Sequence, residues 1–294
     1  MNTNLKKISV VVQTYNQEKF ISGCLDSILI QKQDLIGEIL ILDDFSVDAT
    51  RDILASYAKK HPLIKLILNA TNIGPFASFY KLHSLANFPY IAHIDGDDLW
   101  LKGKLEDQFN FLELNPNYSA VACIAEIFDS KKFISIGQFP NKFISTPSIN
   151  EILSMHPVFI LSSIMYKKNP ILWEHESKYL NMDWSLFLLL RSIGKIEVLN
   201  QSYVIYRHGC GISSNSKTDL TLYELSSINL AHELGAKTSL CRKKWLRVIA
   251  RTSIKKNTIY LTPAFPMKPI SFFEIIIEII LLIKNKFIRI LWKK

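Results

Sequence analysis

The first hundred residues constrain the fold more than any other part of the chain. Short, almost continuously apolar runs alternate there with stretches of helical periodicity. Ile8–Gln13, Glu38–Leu42, Ile64–Leu68 and Tyr90–Ile94 are rich in β-branched and aliphatic side chains and read as strands. Between them, Glu18–Ile30 gathers Phe20, Ile21, Cys24, Leu25 and Ile28 on one helical stripe. Ala49–Lys59 follows an Asp48 suited to cap it, and Phe76–Leu85 is helical again. Parallel strands need helical crossovers, and strands buried on both faces read as unbroken apolar runs. The alternation therefore predicts an α/β fold, a mostly parallel sheet flanked by helices.

In such sheets ligands bind in the crevice beyond the carboxyl ends of the strands. Polar residues stand at three of those ends: Thr14-Tyr15-Asn16, Asp43-Asp44 and Asp95-Gly96-Asp97-Asp98. The last is the most informative. Ile91-Ala92-His93-Ile94 runs straight into three carboxylates. Like charges repel and disfavour one another's ionisation, and the usual compensation is a hard divalent cation with oxygen ligands. A plainer reading of Asp43 and Asp44 is that they cap a turn and the following helix, and Asp98 could cap a helix too. His93, inside its strand, reads as structural.

The middle of the chain is less regular. Ser119–Phe128 and Phe159–Tyr166 read as strands, and Asn181–Ile193 as an apolar helix ending at Gly194. Ile196–Tyr206 is strand-like and leads into Arg207-His208-Gly209-Cys210-Gly211. Beyond Thr218 the pattern turns helical and then basic, and Pro263, Pro266 and Pro269 interrupt it before a last helix. The four cysteines, Cys24, Cys123, Cys210 and Cys241, form no CxxC pair. That argues against a zinc site or a disulfide framework and for a reducing compartment. Lys6 and Lys7 precede an apolar run, Ile8–Val12, too short for a signal-peptide core.

Charge is unevenly distributed. The chain carries a net +9, yet residues 236–294 hold fourteen Lys and Arg against only Glu274 and Glu278, and the remainder is net −3. The basic tail calls for a polyanionic partner. Its segment Ile270–Ile283 is too short and too interrupted to span a bilayer. Extended to Lys294, helical spacing puts Ser271, Glu274, Glu278, Asn285, Arg289 and Lys293 on a narrow polar stripe. The broad opposite face carries Phe272, Phe273, Phe287 and Trp292. An amphipathic helix lying in an anionic membrane interface fits that pattern. A helix packed on the main domain or on a second subunit is the alternative, so a homo-oligomer stays open. No nucleic-acid motif accompanies the basic residues, and nucleic acid is not expected as a partner.

Several segments together resemble the family 2 glycosyltransferases of GT-A fold, whose core is a Rossmann-like, mostly parallel sheet. They are Ile8–Asn16, Glu38–Thr50 with its Asp43-Asp44, Asn72-Ile73-Gly74, the Asp95 cluster with Leu99-Trp100, and Lys104-Leu105-Glu106. They fall in the family's order over roughly residues 6 to 115, with weaker matches to about 215. The resemblance implies a metal-dependent, inverting sugar transfer from a nucleotide-sugar, expected to be UDP-linked, to a glycan or lipid-linked glycan. It implies that Thr14 and Asp44 contact base and ribose, within a donor-binding set that includes Tyr15, Asn16 and Asn72. Asp95 would face ribose or metal, and Asp97 would bind Mn²⁺ or Mg²⁺. Asp183 would be the general base. Arg207 would reach the diphosphate, and His208 the diphosphate or the metal. Two departures are visible: Met182 where the family usually has Glu, and His208 directly after Arg207, one residue short of the commoner spacing.

These readings divide the chain into a catalytic domain, 1–235, and a helical extension, 236–294. The first domain splits into a donor half, 1–115, and an acceptor half, 116–235. The expected setting is the assembly of surface polysaccharide or lipopolysaccharide at the cytoplasmic face of a membrane. Two other classes compete. A nucleotidyltransferase would need a Gly-rich phosphate loop where Thr14-Tyr15-Asn16-Gln17 stands. A glycan- or membrane-binding protein with a relic site would not need Asp44, Asp95, Asp97 and Asp183 all intact.

Overall fold

A computed structural model describes residues 7–130, 132, 134–155, 158–172, 183–209, 220–256 and 274–280. The amino-terminal part is built as the alternation requires. Strands β1 (Ile8–Thr14), β2 (Ile36–Asp43), β3 (Ile64–Leu68) and β4 (Tyr90–Asp95) run parallel in the order β3-β2-β1-β4. Helices α1 (Ile21–Leu29), α2 (Thr50–Lys60) and α3 (Pro75–Ser84) make the crossovers.

The sheet then changes direction. After β5 (Leu99–Trp100) and α4 (Lys104–Leu114) come β6 (Tyr118–Asp129), β7 (Ile134–Phe139), α5 (Ile149–Met155), β8 (Met165–Lys167), α6 (Asp183–Ile193) and β9 (Lys195–His208). β8 is antiparallel to both β4 and β6, so β6 and β4 point the same way, and β9 is parallel to β6. The carboxyl ends of β1, β2, β4, β6 and β9 thus share one edge.

Alternation along each strand divides the core between the two faces of the sheet. Val10, Val12, Ile39, Ile41, Ala92 and Ile94 pack with Ile21, Leu25, Leu54 and Leu105 of α1, α2 and α4. Val11, Leu40, Leu42 and Ile91 pack on the other face with α3, α5, α6, α7 (Thr221–Glu233) and α8 (Thr238–Lys256). Helix α6 buries Trp184 through Leu190 without a break. It is apolar on all sides because helices and sheet enclose it together.

Three local departures have physical causes. Helix α1 starts at Ile21, three residues after the point its periodicity suggested. The Gln17 and Glu18 N–H groups are taken by Thr50 Oγ1 (2.8 Å) and Asp48 Oδ2 (3.1 Å), so the chain turns there before it coils. Phe159–Tyr166 is not one strand. Ser163 folds back on the Ile160 carbonyl through both its N–H and its Oγ, making a 3₁₀ turn over Leu161–Ser163, and pairing resumes only at Met165. Helix α5 went unread although Ser148 and Glu151 form a reciprocal capping box at its start.

Helix α8 and the described part of the last helix lie in the stretch read as the basic tail. Cys241, Trp245, Val248 and Ile249 of α8 are buried in the same core as α6 and α7. Arg242 Nη2 donates to both carboxylate oxygens of Glu274 (2.7 and 2.8 Å), and Arg247 reaches Glu278 (3.1 Å). Ile275 is buried, while Ile277 and Ile280 are exposed. Over residues 274–280 the polar stripe therefore faces α8 and isoleucines face outward. Among the described residues no helix is long and apolar enough to cross a membrane. Pro263, Pro266 and Pro269, and Phe272, Phe273, Phe287 and Trp292, lie outside the described residues. Cys24, Cys123 and Cys241 are buried free thiols.

Candidate active site

The shared edge of the sheet is tied together by its backbone. The Asp44 N–H donates to the Thr14 carbonyl (3.0 Å), and the Gly96 N–H donates to the Gln13 carbonyl (2.9 Å). β1 therefore joins the two acidic turns. A Cβ at Gly96 would lie 2.3 Å from Gln17 Oε1 and 3.1 Å from Thr14 Cβ, so a side chain there would displace the end of Gln17.

The two carboxylates after β2 do different work. Asp43 is fully buried, pairs with Arg51 Nε (2.5 Å) and accepts the Ser46 N–H (3.0 Å) and hydroxyl. It ties the β2 end to α2. Asp44 accepts from Asn69 Nδ2 (2.8 Å), Ile73 N–H (2.9 Å) and Gly74 N–H (2.9 Å). It thereby pins the Asn72-Ile73-Gly74 loop against the strand end, and Asn72 Oδ1 adds a bond to the same Gly74 N–H (3.0 Å). Gly74, with φ at +85°, suits that loop as a residue free of the Cβ penalty. Asn16 is left-handed at φ +52° and accepts the Val47 N–H (2.9 Å). Thr14 is buried and Tyr15 exposed.

The acidic cluster is graded from solvent inward. The Asp95 side chain is 36% exposed, whereas Asp97 and Asp98 are buried. Burial, then the neighbouring Asp95, pushes Asp97 up to about 7. Burial, then Asp97 and Asp95, holds Asp98 well above the carboxylate range. Asp98 is anchored by the Ser162 hydroxyl (2.5 Å) and the Arg207 N–H (3.0 Å). Ser162 Oγ also accepts the Asp95 N–H (3.0 Å), so one hydroxyl spans the turn.

Arg207 arrives from the far end of the chain, and the route is visible in the register. Leu99 and Trp100 pair with Ile205 and Val204 of β9, which places Arg207 against the turn that precedes β5. Its guanidinium donates to the Asp97 carbonyl (2.7 Å) and lies over the Phe20 ring. His208 ends β9 and is exposed. Among the described residues no three His, Cys, Asp or Glu side chains converge as a complete metal cage. Asp183 opens α6 and accepts its neighbour's N–H, from Trp184 (2.7 Å). Because α6 packs on β6 and β9 and leads back into the start of β9, its first residue lies toward the edge that carries Asp95. Met182 lies outside the described residues.

The residues fit a cation held jointly by protein and ligand. Asp97 and Asp98, buried beside Asp95 and each other, have raised proton affinity, and cations of the Mg²⁺ type take one or two carboxylates plus substrate phosphates. Gln13 Oε1, Thr14 Oγ1 and Gln17 Oε1 are buried beside this turn with no hydrogen-bond partner, an unusual concentration of orphaned oxygens. A shallow depression lined by Asn117, Ser119, Lys167 and Lys168 lies instead near the start of β6 and includes no carboxylate. Sequence reasoning missed Ser162, which joins the site from a distant segment, Gln17, which follows Asn16 but stands in no pattern of its own, and the pairing of Arg207 with Asp97 and Asp98.

The comparisons with known proteins bear on the family and the fold. Residues 9–174 match the sequence model of Glycosyl transferase family 2. An uncharacterized protein of Mycobacterium tuberculosis (strain ATCC 25618 / H37Rv) is 32% identical over 221 residues, covering 72% of this chain and 62% of its own. The poly(ribitol-phosphate) beta-glucosyltransferase of Bacillus spizizenii is 38% identical over 113 residues, 37% of this chain and 18% of that protein. The chain thus spans under two thirds of the length of these curated relatives. Among solved structures, S. aureus TarS 1-349 in complex with UDP-GlcNAc has a TM-score of 0.63 at 19% identity, covering 84% of this chain and 73% of its own. That likeness is one of fold, the GT-A arrangement of a curled, mostly parallel sheet flanked by helices.

Proposed function

The chain belongs to glycosyl transferase family 2, and from that premise we propose that it transfers a sugar from a UDP-sugar to a hydroxyl of a cell-surface glycan, with inversion at the anomeric carbon. The observation that carries the reading is the clustering of Asp95, Asp97, Asp98 and Arg207 beyond the strand ends, beside orphaned oxygens on β1 and the following turn. Relatives of the chain bear on the setting, since one is a glucosyltransferase acting on poly(ribitol phosphate).

The roles follow from the chemistry. Thr14, Tyr15, Asn16, Asp44 and Asn72 form the wall for base and ribose. Asp95 and Asp97 would hold Mn²⁺ or Mg²⁺, with His208 available at the rim. When bound, the cation would supply Lewis-acid stabilisation of charge on the departing diphosphate. Arg207 adds a fixed positive charge on the same side. Asp183 accepts the proton of the acceptor hydroxyl as its oxygen bonds to the anomeric carbon. The bond from that carbon to the diphosphate oxygen breaks, and UDP leaves with the electron pair. The exposed Ile277 and Ile280, with the Lys and Arg around them, support attachment of the protein to an anionic membrane surface where a lipid-linked acceptor would lie.

The test is UDP release from a panel of UDP-sugars, with Mn²⁺ and with chelator. Release from one sugar that chelation stops is the expected result. No release from any sugar with Mn²⁺ present would overturn the reading.

A further inference from the structure

Behind the exposed carboxylate of Asp95 runs a buried chain of hydrogen bonds. His93 Nε2 lies 3.1 Å from Asp95 Oδ1, His83 Nε2 lies 2.8 Å from His93 Nδ1, and the Tyr166 hydroxyl lies 2.6 Å from His83 Nδ1. Both imidazoles and the phenol are fully buried. The three residues come from separate elements, β4, α3 and β8, and both imidazoles pack against the ring of Phe79. Polar rings inside an apolar core are costly unless every site is matched, and leucine or phenylalanine would fill the space more cheaply.

The distances allow one fully matched assignment of protons with neutral rings. An ionised Asp95 only accepts, so His93 must donate from Nε2 and accept at Nδ1. His83 must then donate from Nε2 and accept at Nδ1, and Tyr166 must donate its hydroxyl hydrogen. Charging the rings would reverse that order and leave the Tyr166 O–H without an acceptor among the described residues. Burial, then the neighbouring His93, holds His83 well below the usual imidazole range, and burial pushes the Tyr166 phenol up. Both agree with the neutral His83 ring and the intact Tyr166 phenol that this geometric assignment uses.

We propose that Tyr166, His83 and His93 form a one-way hydrogen-bonded strut that locks the Asp95 carboxylate, committing Oδ1 to the protein and presenting Oδ2 to the cation and diphosphate. His93 is a positioning residue in this scheme, with His83 and Tyr166 behind it. Asp98 is likewise held from the protein side, by Ser162 and the Arg207 N–H. Partners of this kind behind a metal-binding carboxylate typically carry ten- to hundred-fold in metal affinity. The strut rests on the glycosyltransfer reading for its purpose, not for its existence.

Two measurements separate those questions. Imidazole ¹⁵N spectra of the metal-free full chain should show His83 and His93 both as neutral Nε2–H tautomers. An Nδ1–H tautomer or an imidazolium at either position overturns the strut. Calorimetry with UDP and Mn²⁺ should show His93→Phe weakened about ten- to hundred-fold, with His93→Gln, which keeps a donor near the Nε2 position, recovering most of the loss. Wild-type affinity in a folded His93→Phe protein overturns the positioning role. A wild type that binds no UDP with Mn²⁺ overturns the glycosyltransfer reading instead, and the spectra alone then judge the strut.

Discussion

At the scale of residues, the acidic turn buries Asp97 and Asp98 and leaves Asp95 at the solvent edge. Replacing Asp97 by Asn should abolish Mn²⁺-dependent UDP release while leaving the circular dichroism spectrum unchanged; retained turnover would remove Asp97 from the metal site. Ser162→Ala should lower stability by about 1–3 kcal/mol in urea denaturation, because the Asp95 N–H and an Asp98 oxygen both lose a buried partner. An unchanged midpoint would mean that water replaces the hydroxyl. The carboxylates themselves were legible in the sequence, since an apolar strand ending in Asp95-Gly96-Asp97-Asp98 has few other uses. Their supports were not. Ser162 stands 67 positions beyond Asp95, and His83 sits on a helix face where it reads as one more interior residue. A sequence shows which groups need partners and rarely where the partners come from.

At the scale of elements, the two-residue strand β5 shows what periodicity cannot reveal. Leu99-Trp100 is too short to carry a pattern, yet its pairing with β9 is what delivers Arg207 to the site. Beneath it, Lys104 begins α4 fully buried, 4.1 Å from the Trp100 ring centroid and bonded to Gln108 (2.8 Å). Burial lowers its ammonium to about 8. The unfolded chain holds that proton to about 10.4, so between about pH 8 and 10.4 the unfolded state binds more protons and stability rises with pH. The ceiling is about 3 kcal/mol. Denaturation curves for wild type and Lys104→Met should therefore converge or cross in the wild type's favour over that window. Parallel curves would mean that Lys104 keeps its charge at an ordinary pKa. Strands β1, β2 and β4, by contrast, are legible to within a residue or two, because burial on both faces leaves a nearly unbroken apolar run.

At the scale of the whole molecule, charge asymmetry and architecture have to be taken together. The basic stretch is not simply solvent-facing: Arg242, Arg247 and Arg251 meet Glu274, Glu278 and Glu224. That pairing turns the glutamates of residues 274–280 inward and leaves Ile277 and Ile280 outward, so the exposed face there is apolar. The full chain should sediment with anionic vesicles, and Ile277→Glu with Ile280→Glu should leave it in the supernatant with its UDP release unchanged. Equal sedimentation of the two would sink membrane attachment through this face. The parallel core could be read from residues 6 to 115 alone. The enclosure of α8 in the same core could not, since Cys241, Trp245 and Val248 look no different in sequence from an apolar stripe meant for another partner.

If the strand-end carboxylates and a nucleoside diphosphate bind one cation between them, calorimetric titration of UDP into the wild type and Asp97→Asn, each with and without Mn²⁺, should show tight binding only to the wild type with Mn²⁺ present and loss of that dependence in the variant. Equal binding with and without the metal, or an Mn²⁺ response that survives in Asp97→Asn, would contradict it.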